Sequence, residues 1–90
     1  MNTFTSRSRY LRAALEYIAE YLATHRYAPT LRELGTAVGA NSTGHASYIL
    51  DALEEDHFLE IPRSPDGRRL PRVMRLTPHA HAVLRVWSQQ

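Results

Sequence analysis

The 90-residue sequence contains no cysteine and no lysine, and only four glycines. Without cysteine the chain can form no disulfide, no cysteine-ligated metal site and no thiol nucleophile. No apolar run approaches the ~20 residues of a membrane span. The polar start Met1-Asn2-Thr3-Phe4-Thr5-Ser6 also lacks the apolar core of a signal peptide. These absences predict a protein without a membrane partner, and we expect it in the cytoplasm.

Length and composition indicate one ordinary globular domain over residues 1–90. A chain of this size buries roughly 60 to 68 % of its unfolded surface, which is enough for one small core. The hydrophobic fraction of 43 % and the charged fraction of 22 % are usual for a folded domain. No repeat or linker divides the sequence, so a second domain is not predicted.

All eleven basic residues are arginine, and they are unevenly distributed. Residues 1–12 carry +3, residues 13–62 carry −6 and residues 63–90 carry +5, although the net charge is only +2. A guanidinium can bind phosphate in a bidentate way that lysine cannot, so the two basic ends are candidate anion-binding regions. A genome rich in arginine codons would explain the same bias.

The most informative segment runs from Tyr27 to Ile61. Thr30 and Glu33 have the spacing of a capping box directly after a proline, which predicts a helix over residues 31–38. Gly39 is a suitable left-handed stop, and Ser42 can cap the next helix, predicted over about 43–56. So short a connection makes the two helices cross, which is typical of a helix-turn-helix.

The flanking segments complete a mainly α fold with a small β-hairpin, that is, a winged helix-turn-helix with three helices, a wing and an extra C-terminal helix. Apolar spacing predicts a first helix over about 8–24. Strands are predicted at 58–61 and 72–76, joined by turn residues at 64–67. Thr77-Pro78 is a good cap and first position for a final helix over about 78–88.

A helix-turn-helix commonly places its second helix in the major groove of duplex DNA. The outward start of that helix after Asn41 is short, polar and free of acids, which predicts DNA contacts by Ser42, Thr43, Gly44, His45, Ser47 and Tyr48. The wing would contribute phosphate or minor-groove contacts through Arg63, Arg68, Arg69 and Arg72. A solvated loop, or a winged helix that binds another protein, remains the alternative.

From Ala14 to Leu76 the sequence resembles the N-terminal winged-helix domain of the LexA repressor family. The resemblance rests on the pairs Pro29-Thr30, Asn41-Ser42 and Ala52-Leu53 and on the position of Gly39. It implies a DNA-binding repressor whose recognition positions are Ser42, Gly44, His45, Ser47 and Tyr48. Only Ser42 is similar in type to the family's residue, so a different operator is expected. The family's Lys-Gly turn is replaced by Asp56-His57.

The family's self-cleaving domain, which uses a Ser-Lys pair and dimerises the repressor, is not expected in a sequence without lysine. We therefore predict no enzyme activity, and a homodimer formed through Val83, Leu84 and Trp87 of the last helix. The alternative is that Trp87 folds back onto Leu11 or Leu15. His79 and His81 point away from each other on a helix, so no metal or other cofactor is predicted.

Overall fold

A computed structural model of the chain describes residues 6–40, 42–70 and 72–89. Within these ranges the chain forms four helices and one two-stranded antiparallel sheet. They are α1 (Ser6–Thr24), α2 (Leu31–Val38), α3 (Thr43–Glu55), β1 (Leu59–Glu60), β2 (Arg75–Leu76) and α4 (Pro78–Ser88). This order confirms the predicted winged helix-turn-helix with an additional C-terminal helix, and α2 and α4 have the predicted bounds. No helix in the described ranges is both long and apolar enough to cross a membrane.

The first three helices enclose one core. Leu15 and Ile18 of α1, Leu34 of α2, and Ile49 and Leu53 of α3 are fully buried. Burial of each such side chain stabilises the fold by on the order of 1.5–3 kcal/mol. These contacts are the main contribution that holds the three helices together. The core therefore fixes α3 in position and leaves its opposite face available.

Local hydrogen bonds cap α2 and α3 as the sequence predicts. The Glu33 amide donates to the Thr30 hydroxyl at 3.0 Å, and the Thr30 amide donates to the Glu33 carboxylate at 2.8 Å. Gly39 ends α2 with φ 76°, and Ser42 accepts the His45 amide at 3.1 Å. The start of α3 is thus fixed relative to α2.

The end of α3 explains why the first strand is shorter than predicted. The helix ends at Glu55, and His57 takes the left-handed turn at φ 63°. The Phe58 amide then donates back to the Leu53 carbonyl at 2.9 Å, so Phe58 still belongs to the helix stop and the strand begins at Leu59. The Thr77 hydroxyl accepts the Ala80 amide at 3.0 Å and donates to the His57 carbonyl at 2.6 Å, which ties α4 to this turn.

The wing is the segment from Ile61 to Met74, between the two strands. The strands pair Leu59 with Leu76 and Glu60 with Arg75, and a single bridge joins Arg63 to Arg69 nearer the tip. The prediction of a strand from residue 72 was wrong. Arg72 has φ 60°, and its carbonyl accepts the Ala28 amide at 3.0 Å, so the chain leaves the hairpin there to bind the loop between α1 and α2.

Candidate nucleic-acid interface

The start of α3 presents an exposed surface without acidic residues. Thr43 and Gly44 are exposed, and the Tyr48 side chain follows one turn later with 51 % exposure. Ser42 is exposed too, but its hydroxyl oxygen is already engaged as the helix cap. The His45 ring is half-buried and meets the Tyr10 ring edge-on at 5.1 Å, so α1 restricts its orientation. The predicted neighbour Asn41 lies outside the described residues.

Ser47 of α3 and Arg69 of the wing, both predicted to contact DNA, contact each other. The Arg69 guanidinium donates to the Ser47 hydroxyl at 2.9 Å and to the Ser47 carbonyl at 3.0 Å, and it also pairs with the Asp51 carboxylate. Its side chain is only 21 % exposed. Arg69 therefore connects the wing to α3, and a phosphate could use it only by displacing these contacts.

Arg63 also faces the protein. Its guanidinium donates to the Glu54 carboxylate at 2.8 Å, and Arg69 lies 3.7 Å from the same carboxylate. The sequence places an acidic cluster at the end of α3, where it opposes the helix dipole. The structure shows that two wing arginines neutralise part of that charge.

Arg72 anchors the base of the wing. Its guanidinium donates to the Ala28 carbonyl at 3.0 Å and to the Tyr21 hydroxyl at 2.9 Å, and it lies 4.2 Å from the centre of the Tyr27 ring. The Glu33 carboxylate is 3.6 Å away. The hydrogen bond from the Thr30 amide, more than this arginine, holds the pKa of Glu33 below its ordinary value. Burial and the adjacent Glu33 raise the pKa of Tyr21.

Arg68 differs from the other three wing arginines because its side chain is 87 % exposed. Its closest carboxylate oxygen, on Asp66, is 3.7 Å from the guanidinium. The Arg68 amide donates to Asp66 at 3.1 Å, and the hydrogen bond from the Ser64 hydroxyl lowers the pKa of Asp66. The turn thus fixes the Arg68 backbone while the side chain extends into solvent from the wing tip.

Arg32 is a candidate that the sequence analysis missed. It is exposed in the first turn of α2, beside the small cleft formed with Thr36, Ser42 and Thr43. Within the described ranges it has no hydrogen-bond or ion-pair partner. The first helix of a helix-turn-helix crosses the DNA backbone, so a basic residue in its first turn could have indicated a phosphate contact.

The predicted dimerisation residues are partly covered by their own chain. Leu84 and Trp87 are half-buried and pack against the core, and the Arg12 guanidinium lies 4.9 Å from the centre of the Trp87 ring. Val83 is half-buried, whereas Val86 is 57 % exposed. The contact with Arg12 places Trp87 against α1 of its own chain. This arrangement corresponds to the alternative to dimerisation, in which Trp87 is expected to meet Leu11 or Leu15.

Two helices joined by a capped turn, followed by a wing that contacts the second helix, define a winged-helix domain. The solved structure of a point mutant of S. aureus MepR has the same fold, with a TM-score of 0.67 and 13 % sequence identity, covering 96 % of this chain and 57 % of that one. The family model of the LexA DNA binding domain matches residues 1–69. The chain therefore belongs to the LexA DNA-binding domain family.

Relatives at the sequence level are LexA repressors. The LexA repressor of Corynebacterium efficiens is 39 % identical over 64 residues, which cover 67 % of this chain and 28 % of that protein. LexA repressor 1 of Nocardia farcinica is 38 % identical over 72 residues, covering 80 % and 32 %. The LexA repressor of Limosilactobacillus reuteri is 35 % identical over 74 residues, covering 82 % and 33 %. The chain thus spans a third or less of the length of these relatives.

Proposed function

We propose that this protein is a sequence-specific DNA-binding transcriptional repressor that places the start of α3 in the major groove. Membership of the LexA DNA-binding domain family carries the proposal. The exposed, acid-free start of α3 supports it, because acidic side chains at that position would repel phosphates. Binding would take place in the cytoplasm, on the nucleoid.

The contacts of each side chain suggest a division of roles. Thr43, Gly44 and Tyr48 would face base edges, and His45 would do so from an orientation set by Tyr10. Ser42 can still donate its hydroxyl proton to a phosphate. Arg68 from the wing tip and Arg32 from α2 would contact the backbone on either side of α3.

Three wing arginines that the sequence predicts as DNA contacts have a structural role in this proposal. Arg63, Arg69 and Arg72 would position the wing, since each already binds groups of its own chain. Ser47 would then act together with Arg69. DNA contact by any of these three arginines would compete with its present hydrogen bonds for the same guanidinium.

We further propose that two copies bind an inverted repeat, since a single helix-turn-helix reads only a few base pairs. The surface of α4 around Val83 and Val86 would form the dimer contact, with the edges of Leu84 and Trp87 beside it. Sedimentation of the wild type and of Val86→Glu tests this proposal. A dimer that the substitution converts into folded monomers supports it, whereas a monomeric wild type contradicts it.

Repeated selection from random-sequence duplexes tests the main proposal. Enrichment of one sequence supports the repressor, whereas no binding even at low salt would favour the rival function, a winged helix that binds another protein.

On the selected site, Tyr48→Ala or His45→Ala should lose about 1 to 3 kcal/mol of binding free energy, and much less on random DNA. Tyr48→Phe distinguishes the contribution of the Tyr48 hydroxyl from that of its ring. Equal losses of binding free energy on the selected site and on random DNA would mean that the residue contacts the DNA backbone and not a base.

A further inference from the structure

A groove of about 700 Å³ lies between the start of α2, the middle of α3 and the wing. Its apolar lining comes from Pro29, Leu31, Leu50, Leu70 and Met74. Ligand sites for small molecules commonly have volumes of roughly 300–1,000 Å³ and a largely apolar lining with a few polar groups. The groove has the size and composition of such a site.

Basic side chains surround the groove. Among the residues that the structure describes, five arginines and one acid, Asp51, contribute to its lining, and the arginines are Arg32, Arg63, Arg68, Arg69 and Arg72. Three of them have close partners in the chain: Glu54 for Arg63, Ser47 and Asp51 for Arg69, and Ala28 and Tyr21 for Arg72. Arg32 has no partner among the described residues, and Arg68 has only the solvent-exposed Asp66 carboxylate at 3.7 Å, so the most available positive charge lies on these two arginines.

These two arginines come from different elements. Arg32 projects from α2 and has no partner in the described part of the chain, while Arg68 comes from the wing and is 87 % exposed. A guanidinium forms strong, often bidentate, hydrogen bonds to a carboxylate. An acid bound in the groove would meet a cation at the α2 side, at the wing side, or at both.

We propose that the groove binds a small amphipathic carboxylic acid, with its apolar body against Leu31, Leu70 and Met74 and its carboxylate at Arg32 or Arg68. The apolar lining favours this occupant over a phosphodiester, which is charged along its whole length and gains nothing from contact with leucine and methionine. The surrounding arginines favour an acid over a neutral apolar compound, whose binding they would not strengthen.

The bound acid would act as an effector that releases DNA. This second step rests on the proposed function, because it assumes that Arg32 and Arg68 contact phosphates. The ligand carboxylate would occupy one of these arginines, and the ligand body would add its own bulk between α3 and the wing. Acid and duplex would then exclude each other, so the acid would raise the apparent Kd for DNA and the duplex would raise the apparent Kd for the acid.

Titration of the full chain with naphthoate, followed by amide NMR shifts in the absence of DNA, tests the site. We expect saturable shifts at amides that line the groove, and about tenfold weaker binding of the neutral analogue naphthalenemethanol. Arg32→Gln with Arg68→Gln should weaken naphthoate binding by about tenfold or more, whereas Arg85→Gln on the exposed side of α4 should have no effect. Leu70→Ser should also weaken it, in contrast to Ala23→Ser on the exposed side of α1.

The proposed site is wrong if millimolar naphthoate gives no saturable shifts, if the shifts lie outside the groove, or if the arginine double variant binds like the wild type. A competition assay with the selected duplex tests the second step. Naphthoate should raise the apparent Kd for DNA in the wild type, and unchanged DNA affinity at saturating naphthoate would refute the effector role. A chain that binds no duplex would refute the proposed function and the effector role, while the titration would still decide the site.

Discussion

Arg68 and Arg69 are adjacent in the sequence and have opposite surroundings. Arg69 is mostly buried against Ser47 and Asp51 of α3, whereas Arg68 extends into solvent. We expect Arg69→Gln to lower the free energy of unfolding by about 1 to 3 kcal/mol, because charge-assisted hydrogen bonds are lost and Asp51 loses its partner. Arg68→Gln should change it by less than about 0.5 kcal/mol. Urea unfolding of the two variants provides the comparison.

Substitutions of these two arginines should also have different effects on DNA binding. Arg68→Gln should weaken binding to all sequences similarly and reduce the salt slope by about 1, as expected for one lost phosphate contact. Arg69→Gln should mainly relax sequence preference, because the Ser47 hydroxyl and the wing would no longer be held in place. If Arg69→Gln removed a salt-dependent contact and left stability unchanged, Arg69 would be a phosphate ligand after all.

Ionisation of Glu33 makes the free energy of unfolding depend on pH. Its pKa is lowered in the folded chain, chiefly by the hydrogen bond from the Thr30 amide. The carboxylate therefore contributes stability that is fully present above the ordinary glutamate pKa of about 4.3 and is lost as the pH falls through the lower folded value. We expect Glu33→Gln to be less stable than the wild type at about pH 7, with the difference shrinking towards about pH 3.

Unfolding by urea at several pH values measures this effect. Glutamine can still serve at this position of a capping box, so the substitution removes mainly the charge. Glu20→Gln, on the exposed side of α1, is the matched control for the loss of one negative charge. A Glu33→Gln variant that tracks the wild type at every pH would contradict the assigned cause.

At the scale of the element, two of the three glycines in the helix-turn-helix, Gly35 and Gly39, have different requirements. Gly39 ends α2 at φ 76° with nothing within 4 Å of an added Cβ, so its constraint is conformational. Gly35 lies inside α2, and an added Cβ would meet ordinary contacts at 3.8 Å or more. Gly39→Ala should therefore destabilise the protein by roughly 1 kcal/mol, whereas Gly35→Ala should be neutral or stabilise it by up to about 1 kcal/mol.

Thermal unfolding of the two alanine variants tests this difference. Gly39→Asn is a useful third variant, because asparagine tolerates the left-handed region better than alanine and should recover part of the loss. Equal effects at the two glycines would mean that the backbone angle of Gly39 does not determine the end of α2.

At the scale of the whole molecule, the distribution of unpaired arginines sets the expected salt dependence. The sequence alone suggests roughly four to six phosphate contacts and a log-log slope of about −4 to −5. With Arg63, Arg69 and Arg72 bound within the chain, the main candidates are Arg32, Arg68 and Arg9, which precedes the tyrosine that meets His45. We therefore expect a slope of about −3 per protomer. Titrations at several salt concentrations measure it, and a slope near −5 would indicate that the wing arginines exchange their partners for phosphates.

The helix-turn-helix could be predicted from the sequence without the structure. The caps at Thr30, Ser42 and Thr77 and the stop at Gly39 each depend on hydrogen bonds between residues at most five positions apart, so residue type and spacing are sufficient to predict them. The roles of the wing arginines became visible only in the folded chain. The hydrogen-bond partners of Arg69 lie 18 and 22 positions away, and Arg72 binds Tyr21 across 51 positions. Spacing cannot identify such partners, because adjacent arginines of identical chemistry differ only in which surface the folded chain places beside them.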